Sequence, residues 1–176
     1  KDEELLGSKF PRKCLVYNPL SFSILEKITS RRKNILCAGR LEVWDIKGFD
    51  IIIKIWSKIH SNYPEWVLEI AGSSSNSTAS REMEMLVEKY NLKDRVNFLG
   101  QVDDMKSLYS ESSIFALPSR MEGFPMVLME AMSQGCACIA FEIFGATNEM
   151  LDEQCGIIIP DGDYNSFELG LKELLN

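Results

Sequence analysis

Six short apolar runs, at residues 34–38, 66–71, 96–99, 113–117, 136–141 and 156–159, constrain the fold of this chain more than any other feature. Most are continuously apolar rather than alternating, the pattern of strands covered on both faces in a parallel sheet. Amphipathic stretches separate them. The periodicity predicts helices over 49–60, 80–90, 105–110, 125–134, 146–151 and 164–175, the first with Phe49, Ile52, Ile53, Trp56 and Ile59 on one stripe. Repeated strand-helix units joined by right-handed crossovers give an α/β fold, a doubly wound parallel sheet of Rossmann-like type. Such sheets bind ligands outside the carboxyl ends of their strands, where the strand order reverses. The loops at Gly39, Gly72, Gly100, Ser119 and Phe141 all leave strand carboxyl ends, and those at Gly39 and Ser119 are expected to be neighbours at the reversal. A further short strand is a candidate at 14–17, ended by the Asn18-Pro19 turn.

The run EGFPMVLMEAMSQGCACIAF, from Glu122 to Phe141, places two carboxylates around a helix start that follows directly from a strand. Gly123 lets the backbone approach a ligand closely, and Pro125 suits the first helical position, where a missing N–H is no loss. N–H groups near Phe124, Met126 and Val127, with the positive end of the helix dipole, would form an anion site. Glu130 lies about two turns beyond Glu122, so both side chains can face one crevice. Carboxylates accept hydrogen bonds from sugar hydroxyls but repel phosphate. The arrangement therefore reads as amides on a diphosphate with glutamates on the flanking sugars. After the first strand, Arg40 and then Lys47 beside Gly48 supply two cations that suit a diphosphate, the arginine as a fork and the lysine as a point charge. Taken singly, these residues are also consistent with solvated surface charge, a turn glycine and a helix-terminal carboxylate.

Composition narrows the classes. At 176 residues the chain is about one domain, and a net charge of −7 argues against a general nucleic-acid binder. No apolar run approaches the ~20 residues of a membrane helix, so a soluble protein is expected. The cysteines at 14, 37, 136, 138 and 155 show no CxxC spacing and read as buried free thiols in a reducing cytoplasm. No targeting sequence opens the chain, and its first residue, Lys1, marks it as an expected piece of something longer. His60, the only histidine, reads as a helix-terminal cation, the run Arg31-Arg32-Lys33 as a solvated approach to a strand, and SSSNSTAS at 73–80 as a flexible loop.

Several ordered motifs carry a family resemblance. The two glutamates within EGFP...EAM.QG, the segment AGRLEVWDIKGFD at 38–50, RVNFLGQV, and LYSESSIFALPSRMEGFP together resemble the retaining GT-B glycosyltransferases of family four, which use nucleotide-sugar donors. The match runs from about Asn34 to Leu175. It implies the carboxyl-terminal, donor-binding half of a GT-B fold, with 1–20 as a linker from a missing amino-terminal acceptor domain and 21–176 as the nucleotide-sugar-binding domain. By this resemblance Arg40, Lys47 and Glu122 would be catalytic. Gly39, Gly100, Gly123, Phe124, Met126, Val127 and Glu130 would join them in holding the donor. Glu122 would contact the transferred sugar, Glu130 the ribose hydroxyls, and the main chain near Gly100 the base.

The whole enzyme would move a sugar from a nucleoside diphosphate to an acceptor hydroxyl with retention, in cell-surface polysaccharide or glycolipid synthesis. Electrostatic stabilisation of the departing diphosphate needs no metal or other cofactor and no Asp-x-Asp pair; Asp103-Asp104 reads as a helix start. The partners implied are a nucleotide sugar and the missing domain, through which any membrane contact would be made, and no nucleic acid. The loops AGSSSN and FEIFGATNEML depart from the family pattern, so no contact is carried over to the former or to Gly145 and Glu149. The rival readings are a non-catalytic nucleotide-sugar-binding module, a GT-B nucleotide-sugar epimerase, disfavoured by the paired glutamates, and a response-regulator-like domain, which would need an aspartate cluster at strand ends.

Overall fold

Each apolar run becomes a strand, and the computed structural model of the protein, which describes residues 18–27, 30–74, 77–143, 147–152 and 155–176, shows how they are ordered. The candidate strand at 14–17, Cys14, most of the 1–20 segment, Gly145 and the start of the helix expected from 146 lie outside the described residues. The strands are β1 (Arg32–Ala38), β2 (Val67–Ala71), β3 (Val96–Gly100), β4 (Ser112–Leu117), β5 (Ala137–Phe141) and β6 (Gly156–Ile159). They form one six-stranded sheet in the order β3-β2-β1-β4-β5-β6, with every neighbouring pair parallel. The order reverses between β1 and β4, where Ile35 pairs with Ile114 and Leu36 with Phe115. The expected neighbours are therefore neighbours.

Helices α1 (Phe49–Ile59), α2 (Ser77–Lys89), α3 (Met105–Glu111), α4 (Met126–Ser133) and α5 (Tyr164–Leu175) cover the sheet. α1 packs against α2 and α5, while α3 packs against α4. Burial in α1 exceeds one stripe: Ile51 and Ile55 are buried as well as Phe49, Ile52, Ile53, Trp56 and Ile59, because α5 covers a second side. Asp104 caps α3, accepting the Ser107 N–H at 3.0 Å. α2 starts at Ser77, inside the run expected to be a loop, since small polar residues suit a helix start as well as a loop. The helix expected over 146–151 is only a 3₁₀ turn, Thr147–Glu149, held by the buried Thr147 hydroxyl, which accepts the Ile143 N–H at 2.8 Å.

Three expectations about polar residues are corrected. The basic run is a solvated approach only in part: half-buried Arg31 donates to the carbonyls of Tyr109, Ser112 and Gln134, and the exposed Arg32 pairs with the buried Glu69 at 3.0 Å. Arg32 and Lys33 both stay exposed, the lysine paired with the exposed Glu65. His60 ends α1 with its ring 6.1 Å from that of Trp56; desolvation, and then the Arg95 charge, lower its pKa below the ordinary value, so it is mainly neutral at pH 7. Cys37, Cys136 and Cys138 are buried free thiols, with Cys136 pushed up to about 11 by burial, but Cys155 is exposed.

Asn34 on β1 joins the two strands that flank it. Its Nδ2 donates to Glu69 Oε2 on β2 at 2.8 Å and to Ser112 Oγ on β4 at 3.0 Å, while its Oδ1 accepts the Ser113 N–H at 3.2 Å. A glutamate inside an apolar strand is thus satisfied by a neighbouring strand. Asn34→Ala leaves the buried Glu69 carboxylate short of a donor and is expected to lower stability by about 1–3 kcal/mol in denaturant unfolding.

Candidate functional site

Because β1 and β4 adjoin at the reversal, the loops leaving them meet above the carboxyl ends of the sheet. In the first loop, the Gly39 N–H donates to the Ala71 carbonyl at 3.0 Å, and Arg40, exposed and extended, precedes a 3₁₀ turn at Leu41–Val43. Gly48 then takes a left-handed φ of +69°, and a Cβ there would lie 1.9 Å from the Pro118 carbonyl oxygen. Only glycine allows this approach.

The approach places Lys47 across from Glu122. The lysine stem runs over Gly39, where an added Cβ would stand 3.2 Å from it. Its Nζ donates to Glu122 Oε1 at 2.8 Å and Oε2 at 3.0 Å, and the Ser119 hydroxyl donates to Oε1 at 2.7 Å. The two side chains are 22% and 9% exposed, so this is a shielded pair with the carboxylate well supplied with donors. Two residues named from opposite ends of the sequence argument, one for a phosphate and one for a sugar, are brought together.

The start of α4 differs from expectation. Pro125 is not the first helical residue but precedes it, with φ −76° and ψ 81°, and the Met126 N–H donates to the Phe124 carbonyl at 2.9 Å. This is an inverse γ-turn centred on the proline. The Met126 amide, counted among the free donors, is therefore engaged. Phe124 and Val127 flank the same turn, and Gly123 is exposed with open space where a Cβ would stand. On the second turn of α4, Glu130 Oε2 accepts from the Tyr109 hydroxyl at 3.4 Å. Burial, and secondly the Glu130 charge, push the Tyr109 pKa up, so the hydroxyl remains a donor. Gly100 closes β3 with φ +66°, its carbonyl accepting the Gly72 N–H at 2.8 Å. With β2 between them, it lies about 10 Å along the sheet edge from β1. Glu149 is exposed in its 3₁₀ turn. Among the described residues, no cluster of three or more His, Cys, Asp or Glu side chains is placed to hold a metal ion, and no helix is long and apolar enough to cross a membrane.

Sequence reasoning missed Ser119, Arg120 and Asp50. Arg120 forks onto Asp50 of α1, Nη1 to Oδ1 and Nη2 to Oδ2 both at 2.7 Å, and its N–H donates to the Ile46 carbonyl at 2.8 Å. A signal existed: opposite charges flank both named residues, in the segments KGFD and SRME.

A six-stranded parallel sheet reversing at β1/β4, with a charged seam above it, is the Rossmann-like architecture of GT-B glycosyltransferases. Residues 32–176 match the family "Glycosyl transferases group 1", and the chain belongs to it. An uncharacterized glycosyltransferase of Haemophilus influenzae is 32% identical over 145 residues, 82% of this chain and 40% of that protein. The amylovoran biosynthesis glycosyltransferase AmsD of Erwinia amylovora is 28% identical over 155 residues, 88% of this chain and 41% of that one. The solved C-terminal domain of LpcC, a group 1 family protein from Francisella tularensis, superposes with a TM-score of 0.72 at 21% identity, covering 88% of this chain and 85% of that domain. The chain thus spans about two fifths of the length of these curated relatives.

Gly48→Ala is expected to separate the two loops. The left-handed conformation alone costs about 1–2 kcal/mol with a Cβ, and the clash adds to it. Thermal unfolding of this variant should show a loss at least that large.

Proposed function

We propose that this chain is the donor-binding half of a retaining glycosyltransferase, the carboxyl-terminal domain of a longer two-domain enzyme. The single observation that carries the reading is the Lys47–Glu122 pair, which joins the exits of β1 and β4 at the reversal of strand order. A nucleoside diphosphate sugar laid along the sheet edge would put its base near Gly100, its ribose at Glu130, its diphosphate at Gly39, Arg40, Lys47 and the segment of Gly123, Phe124 and Val127, and its sugar at Glu122. The shared length with LpcC's C-terminal domain and the two-fifths span of the relatives support a missing acceptor domain. The name of AmsD supports a biosynthetic role in cell-surface polysaccharide. A cytoplasmic location, peripheral at the inner membrane surface through the missing domain, fits such a role.

Lys47 and Glu122 neutralise each other. A donor diphosphate is the stronger partner for the ammonium, since it offers more anionic oxygens than one carboxylate. Once Lys47 turns to it, Glu122 is released to accept from sugar hydroxyls. In transfer the bond from the anomeric carbon to the diphosphate breaks with its electron pair on the phosphate oxygen. Arg40 and Lys47 stabilise that charge without a metal, and the acceptor hydroxyl forms the new bond to the anomeric carbon as its proton passes to the departing phosphate oxygen. The acceptor is held by the absent domain, so this chain alone binds donor and transfers nothing.

The test separates the two glutamates by calorimetric titration with UDP, GDP and their sugar conjugates. Glu130→Gln should weaken nucleotide and nucleotide sugar alike, by about 10-fold for loss of a charged acceptor. Glu122→Gln should spare the free nucleotide and remove only the affinity contributed by the sugar. The reverse pattern would place the donor the other way round, and no binding of any of them would sink the reading.

A further inference from the structure

Resting on that reading, we infer that Arg120 is a positioning residue for the transfer, acting through its clasp on Asp50 to set Lys47 and Glu122 at their working separation. Arg120 lies between Ser119 and Glu122 in sequence, yet its side chain reaches the opposite loop. One arginine holds three points there. The guanidinium forks onto Asp50 with both contacts at 2.7 Å, Nη1 also donates to the Asp45 carbonyl, and the Arg120 N–H donates to the Ile46 carbonyl at 2.8 Å. Those three residues flank Lys47 on both sides. Two residues along from Arg120, Glu122 takes the Lys47 ammonium itself. The two loops are therefore joined by two ion pairs side by side, one inside the site and one outside it.

Their exposures assign them different work. Arg120 and Asp50 are 42% and 29% exposed, beside an open cavity of about 330 Å³ lined also by Lys54, Lys58 and Tyr164. An ion pair so wetted adds little to stability. A planar fork nevertheless fixes direction as well as distance, which a lone lysine in its place cannot do. The clasp thus contributes geometry, and its loss should be felt where geometry decides the outcome, at the sugar end of the donor.

Arg120→Ala, Arg120→Lys and Asp50→Asn in this chain test the assignment, with amide hydrogen exchange first and without ligand. Arg120→Ala should speed exchange at 45–48 and 119–123 by about 10-fold or more, with the strands and the unfolding temperature nearly unchanged. Exchange unchanged in those loops, or loss of the whole fold, would overturn the proposal. Calorimetry with UDP-glucose, UDP-N-acetylglucosamine and GDP-mannose against UDP and GDP follows. In Arg120→Ala the sugar-dependent part of the affinity should fall about 10-fold, the scale of a displacement under 1 Å, and free nucleotide should bind as before. Arg120→Lys, which keeps the charge and loses the fork, should recover part of the exchange protection and of the sugar increment, with Asp50→Asn between it and Arg120→Ala. Equal loss for nucleotide and sugar nucleotide would make the clasp a general brace and refute the positioning role. If no nucleotide sugar binds the parent chain, the donor reading fails, while hydrogen exchange still decides the clasp.

Discussion

The approach of Gly48 to the Pro118 carbonyl is the contact on which the site depends. Parallel pairing of β1 with β4 brings the two exits together, but a side chain on residue 48 would hold them apart. With glycine there, the loop after β1 lies directly on the end of β4, Lys47 reaches Glu122, and Arg120 reaches back to residues 45, 46 and 50. The reversal of strand order creates the crevice, and one missing Cβ sets how far its walls stand apart.

Polar side chains divide between the two ends of the sheet according to what they do. Toward the amino ends of β1 and β4, Arg31, Arg32, Asn34, Glu69 and Ser112 satisfy one another and nearby carbonyls in one network that ties strands together. At the carboxyl ends the proposed donor site rests on a pair that a ligand would exchange. Lys47 and Glu122 each have a partner that a diphosphate and a sugar hydroxyl could replace, so shielding by the protein does not lock them.

The fold was legible because burial on both faces of a parallel strand leaves a continuous apolar run, and all six runs became strands within one or two residues of their expected limits. Edges were less clear in kind: β6, with the sequence GIII, reads like a core strand but is only half-buried, since among the described residues no strand lies beyond it. Glu69 was hidden by the same reasoning, as its neighbours Asn34 and Arg32 become partners only through strand pairing. At α4, Pro125 was legible as a helix starter but not as the centre of a γ-turn, because φ fixed near −65° permits both and ψ decides.

By itself the sequence determined that the chain forms a doubly wound parallel sheet and that Arg40, Lys47, Glu122 and Glu130 are charges near strand exits and a helix start. Periodicity and local turn chemistry act over a few residues and survive without tertiary contacts. Only the tertiary structure decided which charges meet. Lys47 and Glu122 are 75 residues apart, as are Arg120 and Asp45, and their pairing follows from the order in which strands align and from the space left at Gly48. Coulomb attraction between such residues is indifferent to sequence distance but falls with separation in space, so the fold, by fixing that separation, selects which oppositely charged residues become partners.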